Sequence, residues 1–365
     1  MGLRAVQTGD KAKTVRAKRY ETASLIAELA KNEKVDFVVI AGDLFDSHDV
    51  DDRVVRSTVE VLNKFESIPV FVIPGNHDPL VTGGVWDRAA WHGAGSHVSL
   101  IRESAEIEVN EGVAIYPCPL TQKLSRTDPT AWIPPRESGD RRVRIGLAHG
   151  SIDILPGGSN FPISSNRTDI CGLDYLALGD WHGFFRHGKI VYSGTPEQTS
   201  FDESDPGNVV IVELGSAGDE PSVMKKRVGQ LIWREHPPSI GDATDVNHLH
   251  SVILSDGPVS QQLLRINPAL DSGISQDTIR DLKALRAELL DDAFYLDWSE
   301  ESIEDAVKDD AALPGGLLAD IDADLRSILE GKMPSGLDNG MVNPGTAVLN
   351  ESRAILRRLF REVKS

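Results

Sequence analysis

The chain has 365 residues and carries 38 Lys and Arg side chains against 56 Asp and Glu, which gives a formal net charge of −18. Its 40% hydrophobic and 26% charged content is ordinary for a globular protein and excludes a largely disordered chain. The acidity excludes a protein that coats nucleic acid through a uniformly basic surface, but it allows a local basic groove or a metal site that handles phosphates.

Three further features of the sequence bear on where in the cell the protein is expected. No apolar run approaches the roughly 20 residues that a membrane helix needs, so we expect no membrane span. Residues 1–7 lack the apolar core of a secretory signal. The two cysteines, Cys118 and Cys171, are too few for a disulfide framework, and together these features predict a cytoplasmic protein.

The first hundred residues predict helices that alternate with buried strands. Apolar residues at helical spacing predict a helix over 14–31, and a buried strand follows over 36–41. A helix over 51–65 and a buried strand over 69–73 repeat the arrangement. Strands that are apolar throughout are typical of a sheet covered on both faces.

From residue 98 the pattern changes to short strands at close spacing, separated by Gly, Pro and Asp turns. The predicted strands lie at 98–101, 106–109, 113–116, 143–148, 175–178, 190–192 and 209–212. Residues 121–142 are polar and contain proline, which predicts a surface excursion.

The sequence suggests three parts. The first domain spans residues 1–230, with a boundary around 233–238. A small α/β domain over 231–340 is indicated by strands at 263–267 and 294–298 and a helix over 276–290, and residues 341–365 hold an amphipathic helix. We therefore expect an α/β (α+β) protein with a second, smaller domain.

Polar residues follow four of the predicted strands directly. The carboxyl ends of strands in an α/β sheet open onto one crevice, so these residues are expected to meet. Their oxygen and nitrogen donors suit Mn, Fe, Zn or Mg better than a metal that prefers thiolates. The four segments are Gly42-Asp43, Gly75-Asn76-His77-Asp78, His149-Gly150 and Gly179-Asp180-Trp181-His182.

Each segment alone has a plainer explanation. A Gly-Asp pair after a strand is more often a turn or a helix cap, and a single histidine such as His149 is usually a satisfied core residue. Their joint recurrence at four strand ends favours a metal site.

These motifs resemble the calcineurin-like metallophosphoesterase superfamily, whose pattern is Asp-x-His, Gly-Asp, Gly-Asn-His-Asp/Glu, a lone His, and Gly-His-x-His. Within it, the chain is most similar to the nuclease subunit of the double-strand-break repair complex, the SbcD-type exonuclease. The supporting segments lie at 42–46, 74–78 and 193–201. The resemblance covers about residues 1–215 and implies a two-sheet β-sandwich flanked by helices, with a small C-terminal α/β capping domain.

The chain departs from the family pattern at two places. Asp180 stands where the family has its second-last histidine, a change that keeps a metal donor but alters metal preference. The opening Asp-x-His is absent, because residues 1–4 align just after it. We expect either a start codon assigned too late, with the missing strand and both ligands upstream, or a genuine short form that folds poorly or is inactive.

The resemblance implies a two-metal hydrolysis of a phosphodiester, with Mn as the first choice and Fe, Zn or Mg as alternatives. By this resemblance, Asp43 is the ligand that bridges the two metals. Three further residues would bind one metal, and His182 would bind the other together with the missing Asp-x-His. The three are Asn76, His149 and Asp180. His77 would contact the phosphate and assist the leaving oxygen. Asp78 either orients the His77 ring or has a plain turn role.

Two basic regions suggest partners. A cluster that follows the first motif could contact DNA phosphates, or it could be a solvated helix face; it comprises Lys11, Lys13, Arg16, Lys18 and Arg19. The tail helix carries Arg353, Arg357, Arg358 and Arg361 beside an apolar stripe. By resemblance its partner is an SMC-like ABC ATPase, although it could also pack on its own chain. The resemblance also suggests a homodimer.

Three functions remain open on this basis. The first is a metal-dependent DNA exonuclease or endonuclease in repair. The second keeps the same site but hydrolyses nucleotides or cyclic nucleotides. The third is a catalytically impaired scaffold subunit for an ATPase, which the missing first motif and the tail helix suggest.

Overall fold

The computed structural model describes residues 11–156, 159–271, 274–299 and 316–329, together with the short pieces 332, 348–349, 352–353 and 355–356. The chain divides into two compact units, residues 1–231 and 232–365. Within the described ranges, no helix combines the length and the apolarity that crossing a membrane requires.

The first unit begins with helices that alternate with parallel strands. Helix α1 spans Ala12–Glu33, β1 Val38–Ala41, α2 Asp52–Leu62, β2 Val70–Ile73 and β3 Val98–Leu100. The three strands form a parallel sheet in the order β1-β2-β3. Helix α2 starts where the Asp51 side chain accepts a hydrogen bond from the Arg53 amide, and α1 ends at Lys34, which has a positive φ of 55°.

The elements that follow in the same unit are β4 Ile107–Asn110, β5 Val113–Cys118, β6 Val143–His149, β7 Ser151–Ile152, β8 Pro162–Ile163, α3 Arg167–Cys171, β9 Tyr175–Gly179, β10 Phe185–His187, β11 Ile190–Tyr192, β12 Asn208–Glu213 and β13 Ser222–Arg227. Six of these strands form a second sheet, in the order β10-β11-β9-β6-β5-β4. Its central strands β5, β6, β9 and β11 are parallel, and both edge strands are antiparallel to their neighbours. The remaining elements are two short paired strands, a short helix and a hairpin.

The two sheets pack face to face because side chains alternate along each strand. Phe71 and Ile73 of β2 lie in one buried cluster with Ile145 and Leu147 of β6, between the sheets. The intervening Val72 belongs to a different cluster, on the opposite face of the first sheet. Each such fully buried aliphatic side chain stabilises the fold by about 1.5–3 kcal/mol relative to an exposed one.

The outer faces of both sheets are also covered. Ala27 of α1 and Val55 of α2 pack with Val70 and Val72 on the first sheet. On the second sheet, Leu176 and the other outward side chains pack against the loop segments and α3. The mixed α/β fold with two packed sheets and flanking helices, predicted from the sequence, is thus confirmed.

The surface excursion predicted over 121–142 is wrong in one respect. The stretch has no regular secondary structure, but part of it packs onto the second sheet: Ile133 is buried, and Trp132 contacts the same cluster. Arg136 ties the segment down through the Gly172 carbonyl oxygen at 2.8 Å and the Asp174 carboxylate at 2.6 Å. The polar composition of residues 121–142 therefore gave no indication that part of this stretch covers the second sheet.

The second unit contains a smaller α/β core. Its elements are β14 Ile232–His236, β15 Ser239–Ile240, α4 Ala243–Ser255, β16 Gln262–Ile266, β17 Ala269–Leu270, α5 Gln276–Asp292, β18 Tyr295–Trp298 and α6 Leu317–Leu329. Parallel strands β14, β16 and β18 form a sheet in that order, and β15 and β17 form a short parallel pair. The core is formed by helix and strand residues such as Ile253, Leu264 and Leu282.

Residues 233–238, around which the sequence placed the domain boundary, lie just after the division between the two units, and they are largely structured. Residues 232–236 form β14, and Trp233 is buried. Helix α4 was not predicted; it begins at a reciprocal cap in which Asp242 and Asp245 each accept hydrogen bonds from backbone amides.

Most of the predicted tail helix lies outside the described residues, including Arg357, Arg358 and Arg361. Of the tail residues that are described, Leu349 is buried, and Arg353 contacts the buried Asp322 carboxylate of α6 at 3.1 Å.

Candidate metal centre

The loop after β1 turns sharply, and the turn aims Asp43 back over the sheet edge. Gly42 and Asp43 have positive φ angles of 84° and 52°, a region that Gly and Asp tolerate better than most residues. One oxygen of Asp43, Oδ1, accepts a hydrogen bond from the His77 amide at 2.8 Å. A Cβ on Gly75 would collide with the Asp43 side chain, so glycine is required for this approach.

The Asp78 side chain connects the loop after β1 to the loop after β2. Its side chain is fully buried, and its oxygens accept hydrogen bonds from the Gly75 amide at 2.6 Å and the Phe45 amide at 3.0 Å. The sequence left two roles open for Asp78, orienting the His77 ring or holding the turn. The contacts with the Gly75 and Phe45 amides are those of the turn role. Burial, together with the nearby charge of Asp43, raises the pKa of Asp78 to about 7.

His149 ends β6 and lies at the centre of the site. Its Nδ1 is 2.7 Å from the carbonyl oxygen of Ala41, so Nδ1 carries the proton and donates it there. Nε2 is then the atom turned to three oxygens, at 3.1 Å from Asn76 Oδ1, 3.4 Å from Asp43 Oδ2 and 3.8 Å from Asp180 Oδ1. The side chain is 1% exposed, which holds the ring in this orientation.

Asp180 follows β9 with a positive φ of 105°, and its carboxylate turns toward His149. A Cβ on the preceding Gly179 would collide with the Ala41 carbonyl oxygen, the same atom that holds the His149 ring. The ends of β1, β6 and β9 can therefore meet only because residue 179 has no side chain.

The electrostatics of the site favour a positive charge between the carboxylates. Burial alone would lower the pKa of His149, but the hydrogen bond and charge of Asp43 outweigh it and raise that pKa to about 9. Burial would also raise the pKa of Asp43, yet His149 and the His77 amide hold it below its ordinary value. Burial raises the pKa of Asp180, opposed mainly by the charge of His149. Groups that stabilise an imidazolium here would also stabilise a bound cation.

His77 and His182 lie near this group. Both rings are close enough to act electrostatically on the Asp180 carboxyl, and His77 also acts on the Asp43 carboxyl. His182 Nδ1 is 3.0 Å from Glu203 Oε1. Glu203 was missed in the sequence, although it stands two residues after the Ser200-Phe201 pair that supports the family resemblance.

The donor set fits a divalent cation in type and spacing. One imidazole nitrogen, two carboxylates and an amide oxygen are donors that Mn, Fe, Zn and Mg accept. Two donors that each bind a cation at about 2.1 Å lie about 3–4 Å apart, which is the range measured from His149 Nε2. Within the described residues, however, no three His, Cys, Asp and Glu side chains form a metal-holding group by themselves.

The predicted DNA-contacting cluster divides into two parts. Lys11 and Lys13 are exposed at the start of α1, where the first turn carries no acidic residue, and Arg16 is half-buried. Lys18 instead contacts Glu21 at 2.7 Å, and Arg19 donates two hydrogen bonds of 3.2 Å to the Asp46 carboxylate. The Arg19 guanidinium is thus committed to the loop that carries Asp43.

Comparisons with known proteins agree with this architecture. The chain is 24% identical over 342 residues to the uncharacterized metallophosphoesterase YhaO of Bacillus subtilis, covering 83% of this chain and 79% of that protein. It is 26% identical over 215 residues to the DNA double-strand break repair protein Mre11 of Methanosarcina mazei, covering 56% of this chain and 33% of that protein.

A shorter match joins the chain to the DNA double-strand break repair protein Mre11 of Archaeoglobus fulgidus, 50% identical over 56 residues, or 15% of this chain and 13% of that protein. The sequence pattern of the calcineurin-like phosphoesterases matches residues 6–212, which include every loop of the site. The chain therefore belongs to the calcineurin-like phosphoesterase family.

Proposed function

We propose that this protein is a metal-dependent phosphodiesterase that acts on DNA, an exonuclease or endonuclease of repair. Family membership supports phosphoester hydrolysis with divalent metal ions. The observation that carries the proposal is the convergence of Asp43, Asn76 and Asp180 on His149 Nε2, with Nδ1 of the same ring tied to the Ala41 carbonyl.

These four side chains would hold one cation, and Asp43 and His182 would contribute to a second. Bound divalent cations would supply Lewis acidity that activates water and offsets negative charge on the phosphate. We take Mn as the first choice, with Fe, Zn or Mg as alternatives, because the donors are mostly oxygens with borderline nitrogens.

His77 would act on the leaving group. Its backbone amide is fixed on Asp43, and its ring is half-buried at the same edge of the sheet. An imidazole there can hold a proton and donate it to the departing oxygen, which is the general-acid role of many histidines. Asp78 supports this role only indirectly, through the loop that it ties together.

Two observations support DNA as the substrate. The Mre11 relatives are named as DNA double-strand break repair proteins, and the similarity to them covers 15% and 56% of this chain. Lys11, Lys13 and Arg16 add positive charge at the start of α1, in a chain whose net charge is strongly negative. Phosphate contacts of this kind supply sequence-independent affinity for DNA.

The experiment begins with the full chain stripped of metal by a chelator and re-equilibrated with Mn²⁺. We expect it to bind Mn²⁺, hydrolyse bis-p-nitrophenyl phosphate and degrade linear DNA. His77→Asn should abolish hydrolysis while metal content stays at the wild-type level. A variant that also loses its metal would contradict the assigned role of His77.

The other two candidate functions give different outcomes. Hydrolysis of cyclic nucleotides with intact DNA would favour the nucleotide phosphoesterase. A folded chain that binds no divalent metal would favour the scaffold subunit and would overturn the nuclease proposal.

We further propose that the tail docks on an SMC-like ATPase or, alternatively, on its own unit. The contact of Arg353 with Asp322 supports the second alternative for that residue. Co-purification with such an ATPase, with and without residues 341–365, separates the two. A homodimer remains a proposal from resemblance, and light scattering tests it.

A further inference from the structure

His182 is held by a carboxylate that the sequence did not single out. Glu203 Oε1 lies 3.0 Å from His182 Nδ1, and the Glu203 side chain is only 4% exposed. The hydroxyl of Thr199 donates to Oε1 at 2.6 Å, and the Thr199 amide donates to Oε2 at 2.9 Å. Both oxygens of this buried carboxylate are therefore held in place, as burial of a charge requires.

Backbone contacts also fix the segment that carries Glu203 against the loop that carries His182. The Phe184 amide donates to the Asp205 carbonyl oxygen at 3.2 Å, and the Thr195 amide donates to the His182 carbonyl oxygen at 2.8 Å. A Cβ on Gly183 would collide with the Ser204 carbonyl oxygen. The contact between Glu203 and His182 thus follows from the chain path.

The two histidines of the site are supported in different ways. His149 is 1% exposed, so packing restrains its ring, and a neutral carbonyl is enough to fix the proton on Nδ1. The side chain of His182 is 40% exposed, so packing restrains its ring much less. The Glu203 carboxylate is a strong hydrogen-bond acceptor, and it can fix both the orientation and the tautomer of the His182 ring.

We propose that Glu203 is a positioning residue of the metal centre, which fixes His182 through Nδ1 so that the ring binds a cation through Nε2. A carboxylate behind a metal-binding imidazole also makes that imidazole a stronger donor. This inference rests on the proposed function, since it assigns His182 to a metal.

The test measures Mn²⁺ binding to the metal-free full chain by equilibrium dialysis, for wild type, Glu203→Gln, Glu203→Ala and Thr199→Val. Glu213→Gln is the matched control, because Glu213 is an exposed glutamate at the end of β12 in the same unit. We expect Glu203→Ala to weaken one class of Mn²⁺ sites by about 10–100-fold, the usual effect of removing such a partner. Glu203→Gln should fall between Glu203→Ala and wild type, and Thr199→Val should cause a smaller loss.

A purely structural role for Glu203 gives a different result. If Glu203 positions His182, hydrolysis by Glu203→Gln recovers at high Mn²⁺, and the Mn²⁺ concentration for half-maximal activity rises by the same factor as the dissociation constant. If Glu203 only stabilises the fold, activity falls at every Mn²⁺ concentration, and thermal unfolding shifts without a change in Mn²⁺ affinity.

Two outcomes separate this inference from the proposed function. Wild-type protein that binds Mn²⁺, with Glu203→Ala binding it as tightly as Glu213→Gln does, overturns the inference and leaves the proposed function standing. Wild-type protein that binds no Mn²⁺ overturns both.

Discussion

Each unit of this chain contains parallel strands, and among the described residues the candidate metal ligands lie at the carboxyl ends of those in the first unit. In the first unit, β1, β2, β6 and β9 run into Asp43, Asn76, His149 and Asp180. In the second unit, β14 runs into Pro237 and Pro238, and β16 into Asn267 and Pro268. The rule that ligands bind at the carboxyl ends of parallel strands applies equally to both sheets.

The difference lies in the backbone of the turns. Gly42, Asp43, Gly150 and Asp180 all have positive φ angles, which fold the chain back within one or two residues of the strand end. Among the described residues of the second unit, positive φ occurs only at Gly257 and Gly316, which do not follow a strand. For Asp43 and Asp180 the strand end supplies the place and a positive φ turns the side chain toward the site, whereas Asn76 and His149 reach it without a positive φ of their own.

The strongest test of this comparison removes the carboxylate of Asp43, which lies closer to His149 Nε2 than that of Asp180 does. We expect Asp43→Ala to lower metal affinity and hydrolysis by more than about 100-fold, because losing only an outer partner of a metal ligand already costs about 10–100-fold. Metal content by elemental analysis and hydrolysis of bis-p-nitrophenyl phosphate measure the effect.

Asp297→Asn is the matched control, since Asp297 lies near the carboxyl end of β18 in the second unit and pairs with Arg265 at 3.0 Å. It should leave metal binding unchanged. Equal losses in both variants would mean that the carboxyl edge of the first sheet has no special role.

The second expected effect is on stability. Asp78→Asn replaces an acceptor with an amide group that cannot accept from both the Gly75 and Phe45 amides. One buried N–H then loses its partner, which costs about 1–3 kcal/mol. The free energy of unfolding in urea, measured in metal-free protein at pH 5, is the test, and an unchanged value would contradict the role of Asp78 in joining the loops.

The same variant gives a pH test. The folded pKa of Asp78, about 7, lies above its ordinary value of 3.8 because of burial and the charge of Asp43. Its neutral form is therefore favoured in the folded state, and the stability it contributes is lost as pH rises through about 7. The gap between wild type and Asp78→Asn should narrow from pH 5 to pH 8; a gap that widens would reverse the sign of the argument.

The fold was largely readable from the sequence because apolar periodicity is a local signal. Continuous apolar runs marked β1, β2, β6 and β9, and each prediction came within two residues of the structure at both ends. Helix α4 was not predicted, although its buried Val246, Leu249 and Ile253 recur at helical spacing and Asp242 caps its start. The packing of 121–142 was not predicted because it depends on contacts of Arg136 with Gly172 and Asp174, which lie more than 30 residues away in the sequence.

The site was only partly readable for a related reason. Strand-end position brought Asp43, Asn76, His149 and Asp180 into one list, and the structure brings them together. The groups that hold the histidine rings could not be predicted. One is the backbone carbonyl of Ala41, which contacts His149, and another is Glu203, which contacts His182 from 21 residues further along the chain. A hydrogen bond between segments distant in the chain leaves no spacing pattern to read.

A smaller effect concerns the choice of metal. Asp180→His restores the family's usual residue at a position with φ of 105°, where His and Asp are both among the better tolerated residues. Replacing an oxygen donor with imidazole should shift the ratio of Zn²⁺ to Mg²⁺ affinity toward Zn²⁺ by about tenfold. Competition dialysis measures this ratio, with Asp256→His in the second unit as the control; an unchanged ratio would place Asp180 outside the metal's reach.

The smallest expected effect separates the two parts of the basic cluster. Lys13→Ala should reduce the slope of log K for DNA binding against log salt by about 1, because each phosphate contact releases roughly one counterion. Arg19→Ala should leave that slope unchanged, since its guanidinium is bound to Asp46. Lys283→Ala, an exposed lysine of α5 in the second unit, controls for the loss of one charge. Equal slopes for Lys13→Ala and Lys283→Ala would make the start of α1 a solvated helix face rather than a DNA contact.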